Sequence, residues 1–162
     1  MQSISGRRVL MGEVLRILIA DDDMDICRIW RNEIEKFFDK SGQKVEVFEA
    51  YDGDSAWNMF IEVKPDLVIL DVMMPVQNGW ETCRKIRALE KSEKLSPPTI
   101  ILIVSGIGPH LNEMTSPLYG ADDYIDKPLQ KRILTKKIQQ LLEGREERIE
   151  IEIEKENEGE KS

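Results

Sequence analysis

Short apolar runs alternate with segments of helical periodicity along most of this chain, and few architectures accept that pattern. Residues 15–20 read as a buried strand that ends in acids. Val45, Val47 and Phe48 mark a second strand, residues 67–70 a third entered at Pro65, residues 99–104 a fourth after Pro97 and Pro98, and Tyr124-Ile125 a short fifth. Between them, Ile26, Ile29, Trp30, Ile34, Phe37 and Phe38 recur at helical spacing. So do Ala56, Trp57, Phe60 and Ile61, then Trp80, Cys83, Ile86 and Leu89, and finally Leu129, Ile133, Leu134, Ile138, Leu141 and Leu142. The second helix follows the turn signal Asp52-Gly53 and takes Asp54 as its expected N-cap; the third is expected to start near Asn78-Gly79. Strands that are apolar on both faces and alternate with helices specify an α/β fold. Its five-stranded parallel sheet is doubly wound from right-handed βαβ units, with helices on both faces.

Composition narrows the class. With 162 residues, 41% of them hydrophobic, the chain forms one domain with a real core, and wholesale disorder is excluded. The net charge of −8 argues against nucleic-acid binding by bulk charge. Two cysteines, Cys27 and Cys83, do not make a disulfide framework and fit a reduced, cytoplasmic setting. No run approaches the ~18 apolar residues of a spanning helix, so no membrane segment is expected. Residues 1–13 read as an N-terminal extension with a second methionine, Met11. The globular unit covers residues 14–142. Residues 143–162 hold nine acids and four bases, a local charge of −5, and form an acidic C-terminal tail. Within it, residues 148–154 alternate Ile and Glu in a strand-like pattern that could pair with another edge. A helix extension or a solvated tail are the plainer readings.

In open α/β sheets, ligands bind beyond the carboxyl ends of the strands. There the sequence places Asp21, Asp22 and Asp23 after the first strand, Asp71 after the third, Ser105-Gly106 after the fourth and Lys127-Pro128 after the fifth. Each piece alone has an ordinary explanation: capping acids, turns, a solvated lysine. Their coincidence on one rim is harder to explain that way.

These residues carry a resemblance. Residues 17–22 (ILIADD), Asp71-Val72-Met73-Met74-Pro75 followed after three residues by Gly79, Ser105-Gly106, and residues 120–128 (GADDYIDKP) together make the chain similar to a response-regulator receiver domain of the single-domain chemotaxis type. The resemblance spans residues 14–142 and implies a flavodoxin-like strand order. It further implies that Asp71 is the phosphoacceptor and that Asp21 and Asp22 join it in binding Mg²⁺, with the Met73 backbone carbonyl as a further ligand. Lys127 would pair with phosphate oxygen, Ser105 would hydrogen-bond the phosphoryl group, and Tyr124 would be the aromatic switch. Such a protein catalyses only its own phosphorylation and dephosphorylation. Its implied partners are a histidine kinase or phosphotransfer protein and a downstream protein target. No DNA or membrane partner is expected, and the expected state is a monomer or weak dimer. Only 35 residues follow Lys127, which reads as a stand-alone receiver without an output domain.

Physical chemistry supports those roles. Three acids repel an anionic donor; a hard cation with oxygen ligands cancels that repulsion, and the transfer then needs mainly in-line positioning and charge stabilisation. Two other readings compete with this one. A non-phosphorylated binding module would lack one of Asp21, Asp22, Asp71 or Lys127, and none is missing. An aspartyl phosphatase would carry its nucleophile in an Asp-x-Asp pattern on the first strand, a spacing found here only within the run Asp21-Asp22-Asp23.

Several residues depart from the family pattern. Ser105 stands where Thr is commoner and keeps the hydroxyl. Asp126 beside Lys127 is unusual, and strand alternation should aim the two side chains at opposite faces. Pro109 suits a first helical turn, whereas Pro117 in a helix interior would cost ~3 kcal/mol or more. A short fourth helix over residues 109–115, with irregular chain to Gly120, is therefore expected. His110, the lone histidine, reads as a surface residue. Met73 and Ile107, each two residues beyond Asp71 and Ser105, are apolar and cannot orient an attacking water, so slow self-dephosphorylation is expected.

Overall fold

All five strands are parallel and lie in the order β2-β1-β3-β4-β5. They are β1 (Leu15–Ala20), β2 (Val45–Ala50), β3 (Leu67–Asp71), β4 (Ile100–Ser105) and β5 (Asp123–Asp126). The helices are α1 (Met24–Ser41), α2 (Gly53–Val63), α3 (Gly79–Ser92), α4 (Pro109–Thr115) and α5 (Lys131–Glu160), with a 3₁₀ turn at Pro117–Tyr119. The computed structural model describes residues 13–95 and 97–161, apart from the side chain of Pro109. The expected N-terminal extension, Glu13 excepted, lies outside the described residues. Among these residues, no helix is long and apolar enough to cross a membrane.

The two-residue period of the strands divides the core in two. Leu15, Ile17 and Ile19 of β1, Leu67 and Ile69 of β3, and Ile100, Leu102 and Val104 of β4 face α1 and α5, where they meet Trp30, Ile34, Phe38, Leu134 and Ile138. The alternate residues Leu18, Ala20, Val68, Leu70, Ile101 and Ile103 face α2 and α3, where they meet Ala56, Phe60, Cys83 and Ile86. Both faces of the central strands are buried, which is why their sequences read as unbroken apolar runs.

Local chemistry sets the helix boundaries. Asp23 caps α1, its carboxylate accepting from the amides of Asp25 and Ile26, and Gly42 closes that helix in the left-handed conformation at φ 78°. The N-cap of α2 is Asp52, not Asp54: the Asp52 carboxylate accepts from Ser55 N–H at 2.7 Å, and Asp54 sits in the first turn. Gly53 is already helical, and a Cβ there would lie 1.9 Å from the Gln77 carbonyl oxygen. The Asp-Gly pair is thus cap plus first residue rather than a free turn. Asn78 caps α3 through Glu81 N–H at 2.9 Å. Pro109 opens α4, which stops at Thr115 before Pro117 starts the 3₁₀ turn; the short fourth helix has the bounds expected from the two prolines.

The tail takes one of its plainer readings, the helix extension, and not the strand. Residues 148–154 are helical, and α5 runs on for 30 residues to Glu160, crossing the compositional boundary at residue 142 without a break. A helix already nucleated extends at little cost, and Glu, Lys and Arg are good helix formers. Ile149 and Ile153 fall four apart on one stripe and are half-buried, whereas Ile151 is exposed. Where the helix leaves the sheet it is pinned by Arg145, whose buried guanidinium donates to the Asp66 carbonyl at 3.3 Å and pairs with the Asp66 carboxylate at 3.6 Å.

Candidate functional site

Strand order reverses between β1 and β3, and the carboxyl ends of these two strands put Asp21 and Asp71 side by side. Such a switch point opens a crevice in a parallel sheet. Carboxylate oxygens of Asp21, Asp22 and Asp71 lie within 4.8 Å of one another. Asp21 and Asp71 are buried, and Asp22 faces solvent. Asp21 is held in place from its own loop: one oxygen accepts from Asp23 N–H at 2.9 Å. Gly79 allows the start of α3 to approach, since a Cβ there would lie 2.2 Å from the Asp71 carbonyl oxygen.

Lys127, just past β5, reaches across the top of the sheet. Its ammonium donates to Asp21 Oδ2 at 2.7 Å and lies 3.5 Å from Asp71 Oδ1. The Trp30 ring lies beneath it, 5.8 Å from Nζ to the ring centroid. Among the described residues, the ion pairs to both buried carboxylates come from this one lysine.

The electrostatics follow from burial and like charge. Burial, with the Asp21 charge beside it, pushes the Asp71 carboxyl up from 3.8 to about 6, with Lys127 and the Met73 amide opposing. Burial pulls the Lys127 ammonium down, but its Asp21 hydrogen bond and the Asp71 and Asp21 charges outweigh that, and the net direction is up. Three oxygen donors whose mutual repulsion one lysine only partly offsets suit a small hard cation, and the residues present therefore fit Mg²⁺.

The remaining expected residues sit around this centre. Ser105 ends β4 beside Asp71's neighbour Val104, fully buried, its Oγ accepting from Ile107 N–H at 3.3 Å. Met73 is exposed in the β3–α3 loop. Tyr124 is set back from the rim, opposite Ile103, half-buried against the α2–α3 core. Asp126 does point away from Lys127, its carboxylate accepting from Asn112 at 2.7 Å.

A family model for the response regulator receiver domain matches residues 17–139. The chain belongs to this family. Solved structures agree. A CheY-like response regulator receiver domain protein from Methanospirillum hungatei JF-1 is 29% identical, with a TM-score of 0.67 over 84% of this chain and 99% of that one. The signal receiver domain of a DNA-binding response regulator from Colwellia psychrerythraea 34H is 28% identical, with a TM-score of 0.68 over 80% and 98%. The receiver of a LuxO-type repressor from Vibrio parahaemolyticus shares the fold at 18% identity and a TM-score of 0.71 over 86% and 98%. The protein is thus a receiver of two-component signalling, with the parallel flavodoxin-like sheet expected of it.

Three features of this receiver carried no signal in the sequence: the Lys127–Asp21 contact, Trp30 beneath the lysine, and the buried Asn112 of α4. All depend on which helix face meets which strand end. The cysteines belong to the scaffold. Burial, with the Asp21 charge, pushes the Cys27 thiol up to about 12, and burial does the same to Cys83. Neither thiol should react with an aromatic disulfide reagent in the folded protein at pH 8; both should react at once in denaturant.

Proposed function

We propose that this receiver accepts a phosphoryl group on Asp71 and that the event resets the surface formed by α4, β5 and α5. The convergence of Asp71 with Asp21, Asp22 and Lys127 on one rim carries this reading. Asp71 attacks phosphorus in line. Its Oδ–P bond forms as the donor's bond to phosphorus breaks, and the leaving group departs with the electron pair. The donor is a phosphohistidine of a kinase or phosphotransfer protein, as the family implies. Asp21, Asp22 and Asp71, with the Met73 carbonyl, would hold Mg²⁺, which when bound supplies the positive charge that offsets repulsion between the acids and the donor. Lys127 is placed to exchange its contact with Asp71 for the equatorial oxygens of the transferring group. The Ser105 hydroxyl would donate to one of those oxygens once phosphorylation draws it from Ile107. Tyr124, two positions from Asp126 on the same face of β5, would follow into the space that Ser105 leaves.

Borohydride converts an aspartyl phosphate to homoserine. After phosphorylation with acetyl phosphate, peptide mapping should find that conversion at residue 71. Conversion elsewhere, with Asp71 intact, would contradict the assignment.

The same geometry bears on hydrolysis of the aspartyl phosphate. Met73 is exposed, Ile107 is half-buried, and neither offers a group to orient water. The phosphorylated protein should therefore lose its group over minutes or longer. A half-life of seconds without a phosphatase would count against this.

A further inference from the structure

Helix α4 and the Ser116 that caps its C-terminus turn polar side chains inward, while the outer side carries Leu111 and Met114 beside His110 and Glu113. Asn112 and Ser116, one turn apart, are 0% and 1% exposed, whereas Leu111, Met114 and, in the following turn, Leu118 are 50%, 55% and 80% exposed. An amphipathic helix ordinarily does the opposite. The arrangement is incompletely satisfied as well: Asn112 Oδ1 and Ser116 Oγ are buried with no hydrogen-bond partner among the described residues.

One side chain holds this face in. Asn112 Nδ2 donates to Asp126 Oδ1 at 2.7 Å and to the Ser105 carbonyl at 3.3 Å. Both neighbours only accept, so the amide nitrogen must be the atom that faces them. The Ser105 carbonyl also accepts from Lys127 N–H at 3.0 Å, and Asp126 is the residue before Lys127. A single amide therefore ties α4 to the two strand ends that carry the hydroxyl and the amine of the site.

We propose that Asn112 and Asp126 form a latch that sets the position of α4, making Asn112 a positioning residue for the switch. The 2.7 Å bond to a carboxylate is the strong one, and the 3.3 Å bond to Ser105 is the one that yields. Coupling to the site rests on the reading that Asp71 is phosphorylated. When Ser105 moves toward the phosphoryl group, its carbonyl leaves the amide, and α4 keeps one anchor instead of two. The helix can then pivot about the remaining Asp126 bond, which opens its buried polar side to water and shifts the exposed Leu111 and Met114. Two alternative packings of one short element are what a switch requires.

Hydrogen exchange read by mass spectrometry over residues 109–119 tests the latch, in wild type, in Asn112→Asp and in the exchanged pair Asn112→Asp with Asp126→Asn. The single variant sets two carboxylates against each other at pH 8, and the pair restores the 112–126 bond with donor and acceptor reversed but not the bond to the Ser105 carbonyl. In the unphosphorylated protein, Asn112→Asp should speed exchange in this segment by about tenfold, and the exchanged pair should return it part of the way. Peptides from β1 and β3 should be unchanged in all three proteins, which separates the latch from general loosening. In phosphorylated wild type, with the adduct verified by intact mass, the segment should exchange faster than in the unphosphorylated wild type but more slowly than in Asn112→Asp, because the Asp126 bond remains. Wild-type exchange in Asn112→Asp, or no recovery in the pair, would overturn the latch. A verified adduct with no change over residues 109–119 would overturn its coupling to the site. Absence of any adduct would be visible in the mass and would defeat the phosphoacceptor reading instead, leaving the unphosphorylated proteins to decide the latch.

Discussion

Replacing Lys127 with Met should slow phosphoryl uptake from acetyl phosphate by about a hundredfold or more, a loss typical of removing a group aimed at developing charge in a buried site. Lys127 is the described cation paired with both Asp21 and Asp71. Its removal leaves two buried carboxylates without a counter-charge, so the variant should also be less stable than wild type in EDTA at pH 7.5, by about 3–5 kcal/mol. Added Mg²⁺ should restore much of that stability but not the uptake rate, because the metal replaces the lysine's charge and not its position. Uptake kinetics with and without Lys127, at saturating Mg²⁺, check the first part, and thermal melts in EDTA and in Mg²⁺ check the second. Wild-type uptake in Lys127→Met would remove the lysine from the chemistry.

Removing the Asp71 charge should have the opposite effect on stability. Asp71 is 3% exposed, and its carboxyl is raised from 3.8 to about 6. The folded protein therefore binds this proton more tightly than the unfolded chain. The group weighs against folding above pH 6, and that burden lifts as pH falls from 6 toward 3.8. A shift of that size corresponds to about 3 kcal/mol. In EDTA at pH 7.5, Asp71→Asn should be more stable than wild type by about that amount, or several degrees in Tm. The gap should shrink as pH falls from 7 to 5, and it should also shrink in Mg²⁺, where the wild-type carboxylate gains a counter-ion. Paired denaturation curves across this pH range, in both media, provide the check. A gap independent of pH would show that Asp71 is not the group under strain.

Legibility in the sequence followed the length scale of the interactions. The strands were legible because both faces of β1, β3 and β4 are buried, leaving apolar runs that nothing else explains. The rim residues were legible because parallel strands deliver whatever follows their carboxyl ends to one edge. The sequence is ambiguous where neighbouring residues compete. Asp52 and Asp54 are both suitable caps, and only the fold shows that Asp52 accepts from Ser55 N–H while Asp54 lies in the first turn. The Ile-Glu alternation of residues 149–154 fits a strand by period, but the chain enters it already helical from Lys131. The pairing of Arg145 with Asp66, 79 positions apart, and of Asn112 with Asp126, 14 apart, had no local signature. Asp126 stood out only as an odd neighbour for Lys127, and its partner became visible once α4 was placed beside β5.

The central claim is that Asp71 is the acceptor of a metal-dependent phosphoryl transfer. It is tested most directly by intact mass after incubation with acetyl phosphate and Mg²⁺, beside Asp71→Asn and a sample in EDTA. One phosphoryl adduct on the wild type, absent from both controls, is the predicted result. An adduct that persists in Asp71→Asn would contradict the assignment, and one that forms equally well in EDTA would contradict the metal's part in it.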